Sequence, residues 1–329
     1  MVNRLLTECD KDELGPSYLS SGKQQLATGG WALRAKFQPI GEPGCGVRGF
    51  LILVKRWTTA MGGFFYGCRM NKKTIEAINA HALAEYPREA VGFVVAKGRK
   101  EMYVPGVNVA AEPEDYFATR PQDWVQAQEQ GELIAFVHSH PNMPAVPSQA
   151  DRVACEAMAE HVKPLEWLIV SVMPGDDGPQ IEGMESFCPE GYQAPLIGRQ
   201  FYHGVLDCYT LIQDFYRRER AIALPDFERE DGWWEGGDEL YLDNFAKAGF
   251  VEVEDGPKTG DVILMQLRSE RVNHAGIYLG AEPLTEASYL HPVPEAMLHH
   301  AYGYLSERVP YGGYWAQITR KIIRHKELL

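Results

Sequence analysis

Residues 133–141 read Leu-Ile-Ala-Phe-Val-His-Ser-His-Pro, and the fold of the first half of the chain turns on them. The unbroken apolar, β-prone run Leu133 to Val137 predicts a buried strand. Side chains two apart on a strand share a side, so His138 and His140 project together from its end. Prolines 141, 144 and 147 then break the chain, and Ser148 opens a helix that carries Asp151 in its first turn. Two imidazoles and one carboxylate make three ligands. That leaves the fourth tetrahedral position free, the donor count of a catalytic rather than a structural Zn2+ site. Read singly, each piece has a plainer explanation: a structural histidine pair, a helix N-cap, an acid complementing the helix dipole.

Upstream, Tyr86-Pro87-Arg88-Glu89 runs into the apolar stretch Ala90 to Val95. A carboxylate at that strand entrance meets a partly dry site and suits a general base, so Glu89 is the candidate. Ser148, besides capping, is placed to hydrogen-bond a carbonyl oxyanion. The order Glu89, His138-Ser139-His140-Pro141, six residues, Ser148, two residues, Asp151 resembles the JAMM (MPN+) metallopeptidase family. The resemblance implies zinc on His138, His140 and Asp151, with Glu89 and Ser148 catalytic.

Outward from this core, strand-like runs (91–96, 133–137, 167–172) alternate with helical ones (121–130, 149–161), and a helical pattern precedes them around 74–83. The reading is a domain over 70–190 with a central sheet. Turn residues 174–179 join its last strands, and a loop at 188–191 is read as the linker. Residues 1–69 are rich in small and polar residues without periodicity and are expected to be a poorly ordered extension. Met70 is then a plausible natural start.

A second block begins at Asp207-Cys208-Tyr209-Thr210-Leu211-Ile212. It places Cys208 at a helix start, where the dipole is expected to lower the thiol pKa. Asn273-His274-Ala275-Gly276-Ile277-Tyr278-Leu279-Gly280 supplies a histidine entering a tightly packed strand, and a thiol nucleophile needs such a base. A third group must hold the base's tautomer. His299 is chosen as lying on a returning antiparallel strand facing His274, over His300, expected to point outward, and His291, in a proline-rich stretch. Single cysteines at helix starts are mostly packing. The whole set, however, resembles the NlpC/P60 cysteine-peptidase family, which implies a papain-like α+β domain over 191–329 acting on peptidoglycan stem peptides. One departure stands out. Where that family has a tyrosine three residues before a glycine, Phe201 precedes Gly204, with Tyr202 beside it. The oxyanion donor credited to that tyrosine is therefore in question. Trp233, Trp234, Tyr311, Tyr314 and Trp315 are candidates for a substrate groove or for core.

The whole chain is read as α+β: two domains, a JAMM-type α/β sheet domain followed by the papain-like domain. With 329 residues there is room for both and a short extra segment. Net charge is −13, which argues against a nucleic-acid partner. No apolar run reaches 18 residues, so no membrane span is expected, and the first residues are too weakly apolar for a signal peptide. Six scattered cysteines without a CxxC pair fit reduced thiols in a cytoplasm. The domain order, over about 70–329, resembles a family of tail-tip assembly proteins of lambda-like phages. It implies phage tail-tip proteins and peptidoglycan peptide as partners, synthesis in the host cytoplasm, and the virion tail as a further location. The alternatives are a cellular peptidoglycan-remodelling hydrolase and a catalytically silent assembly module.

Overall fold

The computed structural model describes residues 70–230 and 232–329. The poor order expected of residues 1–69, and the idea that they are an extension upstream of a start at Met70, lie outside the described residues. The first sheet comprises β1 (Val91–Lys97), β2 (Lys100–Pro105), β3 (Glu132–Pro141), β4 (Glu166–Met173) and β5 (Gln180–Phe187), in the order β2-β1-β3-β4-β5. β3 is central and buried from Ala135 to Pro141, as its apolar run predicts. It pairs antiparallel with β1 and parallel with β4.

Helices cover both faces. α1 (Lys72–Glu85), capped by the Asn71 side chain on Thr74 N at 3.0 Å, lays Ile78 and Ala82 on Val94, Ala135, Val137 and Val170. On the opposite face, α2 (Pro121–Gln130) and α3 (Gln149–His161) contribute Ala127, Ala150 and Ala154 to a core with Phe93, Phe136 and Trp167. Phe93 meets Trp124 edge-on at 4.6 Å, and Phe136 meets Trp167 at 4.7 Å. Burying each such ring is worth about 1.5–3 kcal/mol. This aromatic wall is the one His138 extends.

The second sheet is antiparallel throughout, in the order β10-β9-β8-β7-β11-β6. Its strands are β6 (Phe250–Glu252), β7 (Val262–Met265), β8 (His274–Gly280), β9 (Ala296–His299), β10 (Glu307–Pro310) and β11 (Thr319–His325). α4 (Cys208–Glu219) packs Leu211, Ile212 and Phe215 on Leu264, Ala275, Ile277 and Leu298. The short α5 (Leu240–Asn244) and α6 (Tyr314–Ile318) flank this domain. The molecule is thus α+β with two sheets, as expected.

The stretch read as a linker is more than a tether. Glu156 Oε1 accepts from the N–H groups of Glu190, Gly191 and Tyr192 at 2.7–2.9 Å. Ala194, Tyr202 and Leu206 then pack into the first domain's core, while Leu196 packs into the second's. Arg199, fully buried, donates to Asp214 at 2.6 Å and to the carbonyls of Ala194 and Pro195. Residues 190–206 form a seam shared by both domains.

Two candidate active sites

At the end of β3, His138 and His140 leave the same side of the strand, as the i, i+2 spacing demands. Their Nε2 atoms stand 3.2 Å apart. Asp151 at the start of α3 completes the group, with Oδ1 3.3 Å from His138 Nε2 and Oδ2 3.4 Å from His140 Nε2. A tetrahedral zinc with bonds of about 2.0–2.1 Å needs donors roughly 3.3–3.4 Å apart, so the residues present fit that ion. All three side chains are buried.

The second layer is set for the same task. His140 Nδ1 lies 3.0 Å from Pro144 O; donating there leaves its Nε2 lone pair for a ligand. Asp151 Oδ2 accepts from Ser148 N at 2.7 Å in a capping box, whereas Oδ1, facing His138, is buried without a hydrogen-bond partner. Burial pushes the His138 imidazole down, against the pull of Asp151. Burial works to raise Asp151 too, but His138 and His140 outweigh it and hold the carboxyl well below its usual range. Metal ligation takes an imidazole in its neutral form and a carboxylate in its ionised form.

Glu89 lies two residues before β1, whose first residue, Val91, pairs with His138. Ser139, on the opposite side of β3 from the histidines, fastens this corner: its Oγ accepts from Ala90 N at 2.7 Å and its N–H donates to Ala90 O at 2.9 Å. Glu89 is buried and Oε2 has no partner. Burial, then the charges of Asp151 and Asp115, raises its carboxyl well above the ordinary value. Ser148 is the N-cap of α3, its Oγ accepting from Asp151 N at 3.0 Å, which leaves the hydroxyl proton to donate elsewhere. Two contacts at this site escape the sequence reading. Asn108 clamps the loop behind Glu89, and Tyr202 from the seam reaches the hydroxyl of Ser148. Neither carries a spacing signal, since each acts across the fold.

The second site surrounds a cavity of about 590 Å³ lined by Cys208, His274 and His299. Cys208 is the first residue of α4, capped by Asp207, whose Oδ1 accepts from Tyr209 N and Thr210 N at 3.0 and 2.9 Å. Asp207 is itself held at about 2: burial would raise it, but the Arg229 guanidinium at 2.7 Å outweighs that. The lowered thiol pKa expected from the helix position is not found. Burial, with Asp207 next to it, pushes Cys208 up to about 11, against opposing hydrogen bonds from Tyr241 and the Ala275 backbone. His274, pushed well below its ordinary value by burial, then by His299 and His300, is neutral. At rest the pair is thiol and imidazole.

β9 returns antiparallel to β8, with Gly276 opposite His299. His299 Nδ1 stands 3.1 Å from His274 Nε2, under the Trp315 ring at 4.4 Å. His300, expected to point outward, is instead buried and lines the same cavity as His274 and His299. It is fully buried against Phe201 at 5.1 Å, because the chain beyond β9 continues under the seam. His291 lies in a loop between β8 and β9. Trp233, Trp234, Tyr314 and Trp315 line the cavity, while Tyr311 packs on the core beneath Tyr278.

A family model described as prokaryotic homologs of the JAB domain matches residues 71–185, and the NlpC/P60 family model matches residues 198–324. The chain is 40% identical over 261 residues to tail tip assembly protein K of Escherichia phage N15, covering 79% of this chain and 97% of that protein. To tail tip assembly protein K of Escherichia phage lambda it is 36% identical over 208 residues, or 63% of this chain and 88% of that protein. The chain is also similar to a probable TtuB-protein conjugate cleaving protease of Thermus thermophilus, with 30% identity over 129 residues, or 37% of this chain and 77% of that protein.

Proposed function

The chain belongs to the family of phage tail tip assembly protein K, and from that membership we propose a tail-assembly component with two peptidase sites. One is zinc-dependent, on the domain over 70–190. The other is a thiol site, on the domain over 191–329, acting on peptidoglycan stem peptides. The observation that carries the first is the buried donor triangle of His138, His140 and Asp151 at 3.2–3.4 Å, with Asp151 Oδ1 otherwise orphaned.

Zinc held by those three residues would supply Lewis acidity and an acidified water. Glu89 takes the proton of the attacking water and returns it to the departing nitrogen, a task suited to a carboxyl whose burial raises its pKa. Ser148 donates to the carbonyl oxygen. At the other site Cys208 attacks, His274 takes its proton, and His299 holds the imidazole in one tautomer and orientation. Tail-tip proteins are the partners of the first site, in the host cytoplasm during assembly. The name of the Thermus relative, a conjugate-cleaving protease, favours a bond at a protein surface as its target. Peptidoglycan is the partner of the second site, reached from the virion tail.

One observation favours a second reading for the first domain alone. Its ligands are sealed from solvent, with His138 and Asp151 at 0% exposure and Glu89 at 3%, as in a module kept for assembly. Purified protein should hold about one zinc per chain by the three-ligand logic. His138→Ala should lose it, whereas Glu89→Gln should keep zinc and lose cleavage of the tail proteins. Equal zinc content in wild type and a His138/His140 double variant sinks the metal reading. Zinc without cleavage of any tail protein supports the silent module.

A further inference from the structure

We propose that Tyr241 is a catalytic residue of the cysteine site. Its hydroxyl hydrogen-bonds Cys208 Sγ at rest, then donates to the oxygen that becomes anionic when that sulfur attacks a carbonyl. The proposal deepens the reading of Cys208 as nucleophile and rests on it. Tyr241 Oη lies 3.1 Å from Cys208 Sγ, and both line the same cavity. The tyrosine comes from α5, a separate element from the helix that carries the cysteine.

The sequence explains why a donor is wanted there. Phe201 stands where related cysteine peptidases carry a tyrosine, and a phenyl ring has no hydroxyl to offer. Phe201 packs on His300 and Tyr302 at 5.1 and 5.0 Å. Tyr202 beside it is committed to the other domain's core, its hydroxyl 3.2 Å from Gln200 Oε1. Neither replaces the missing group, and Tyr241 brings a phenol to the sulfur from another direction.

Three features suit Tyr241 to the task. Its ring is braced edge-on by Trp233 at 6.2 Å and Tyr209 at 6.4 Å, so the hydroxyl is held rather than swinging. Burial, then the neighbouring Cys208, raises the phenol well above its ordinary value, so it keeps its proton and remains a donor. The third feature is a companion donor. The Asp207 cap takes the N–H groups of Tyr209 and Thr210 and not that of Cys208, which leaves the Cys208 N–H for an oxyanion.

In the reaction the S–C bond forms while the carbonyl π pair moves to oxygen, and the thiol proton passes to His274. The C–N bond then breaks, and His274 gives the same proton to the departing amine. No electron leaves or enters. The oxyanion forms two bonds from Sγ, so a hydroxyl already touching the sulfur reaches it by a small shift, whereas a distant donor would have to travel.

The test is Tyr241→Phe in the full chain, which removes one oxygen and keeps the ring. On a soluble γ-D-glutamyl stem peptide, kcat should fall about 100-fold with KM nearly unchanged, the loss typical of one oxyanion donor. A packing role would instead lower the melting temperature and leave kcat per folded molecule intact, and that result overturns the proposal. Iodoacetamide alkylation of Cys208 at pH 8 gives a readout that needs no substrate turnover. Without the hydroxyl the thiolate is less favoured, so alkylation should slow several-fold in the variant. Should wild type fail to cleave stem peptides, the substrate reading falls, and the rates at which p-nitrophenyl acetate acylates Cys208, a step that forms the same oxyanion, decide for Tyr241. Equal rates in the two proteins overturn it.

Discussion

Asn108 is the residue on which the position of Glu89 depends. Its Nδ2 donates to Glu89 O at 3.0 Å and Tyr116 O at 2.8 Å, while its Oδ1 accepts from Ala110 N and Ala118 N at 3.0 and 3.1 Å. One amide thereby ties the backbone of the base to the loop opposite. An unsatisfied buried polar group costs on the order of 1–3 kcal/mol, so Asn108→Ala should lower stability by roughly 2–4 kcal/mol in denaturant unfolding. It should also cut metal-site cleavage more than it cuts zinc content, because the ligands sit on β3 and α3 rather than on this loop. A parallel loss of zinc would refute that division of labour. The grouping of His138, His140 and Asp151 was legible in the sequence because strand and helix periodicity put them at fixed spacings. Asn108 was not, since an asparagine in a loop reads as a turn former, and its partners are close only in space.

At the scale of elements, close packing of β8 on β9 makes the histidine pair. A Cβ on Gly276 would stand 2.8 Å from Met297 Sδ and 3.1 Å from His299 Cβ. The Met297 side chain can turn aside; the Cβ of His299 can move only with its strand. Gly276→Val should therefore cost about 1–3 kcal/mol, as overpacking does, and should push β9 away so that His299 no longer orients His274. Turnover at Cys208 should drop far more than substrate binding. An unchanged kcat in a folded variant would show that His299 is not needed as the orienting group. The strand over 274–280 and its return to His299 were readable from glycines and apolar residues in sequence. The edge strands β2 and β5 were not singled out. Both mix charged or polar residues with apolar ones, Lys100-Glu101-Met102 and Gln180-Ile181-Glu182, and a strand with one wet face and an open edge carries a weak apolar signal. The thiol's environment was misjudged for a related reason. Helix position is visible in a sequence, but the burial that pushes Cys208 up to about 11 is made by distant elements.

For the whole molecule, the seam over 190–206 matters most. A linker was expected between two independent halves. It was placed at 188–191, short of the stretch that packs on both cores, because the same apolar residues could have served either one. Tyr202, at 2% exposure, closes over the Ser148–Asp151 cap, and six residues later the same backbone carries Cys208. If this closure seals the metal centre, a chelator should strip zinc slowly from the full chain and much faster from Tyr202→Ala, measured as release half-life at one chelator concentration. Identical half-lives would show that the seam does not govern access. The consequence is one of timing. An ion that passes the closed seam only slowly is captured most readily while the chain is still maturing, so metal supply during synthesis would set what fraction of molecules is competent at first. A batch made without zinc would stay a distinct population for as long as that slow exchange takes.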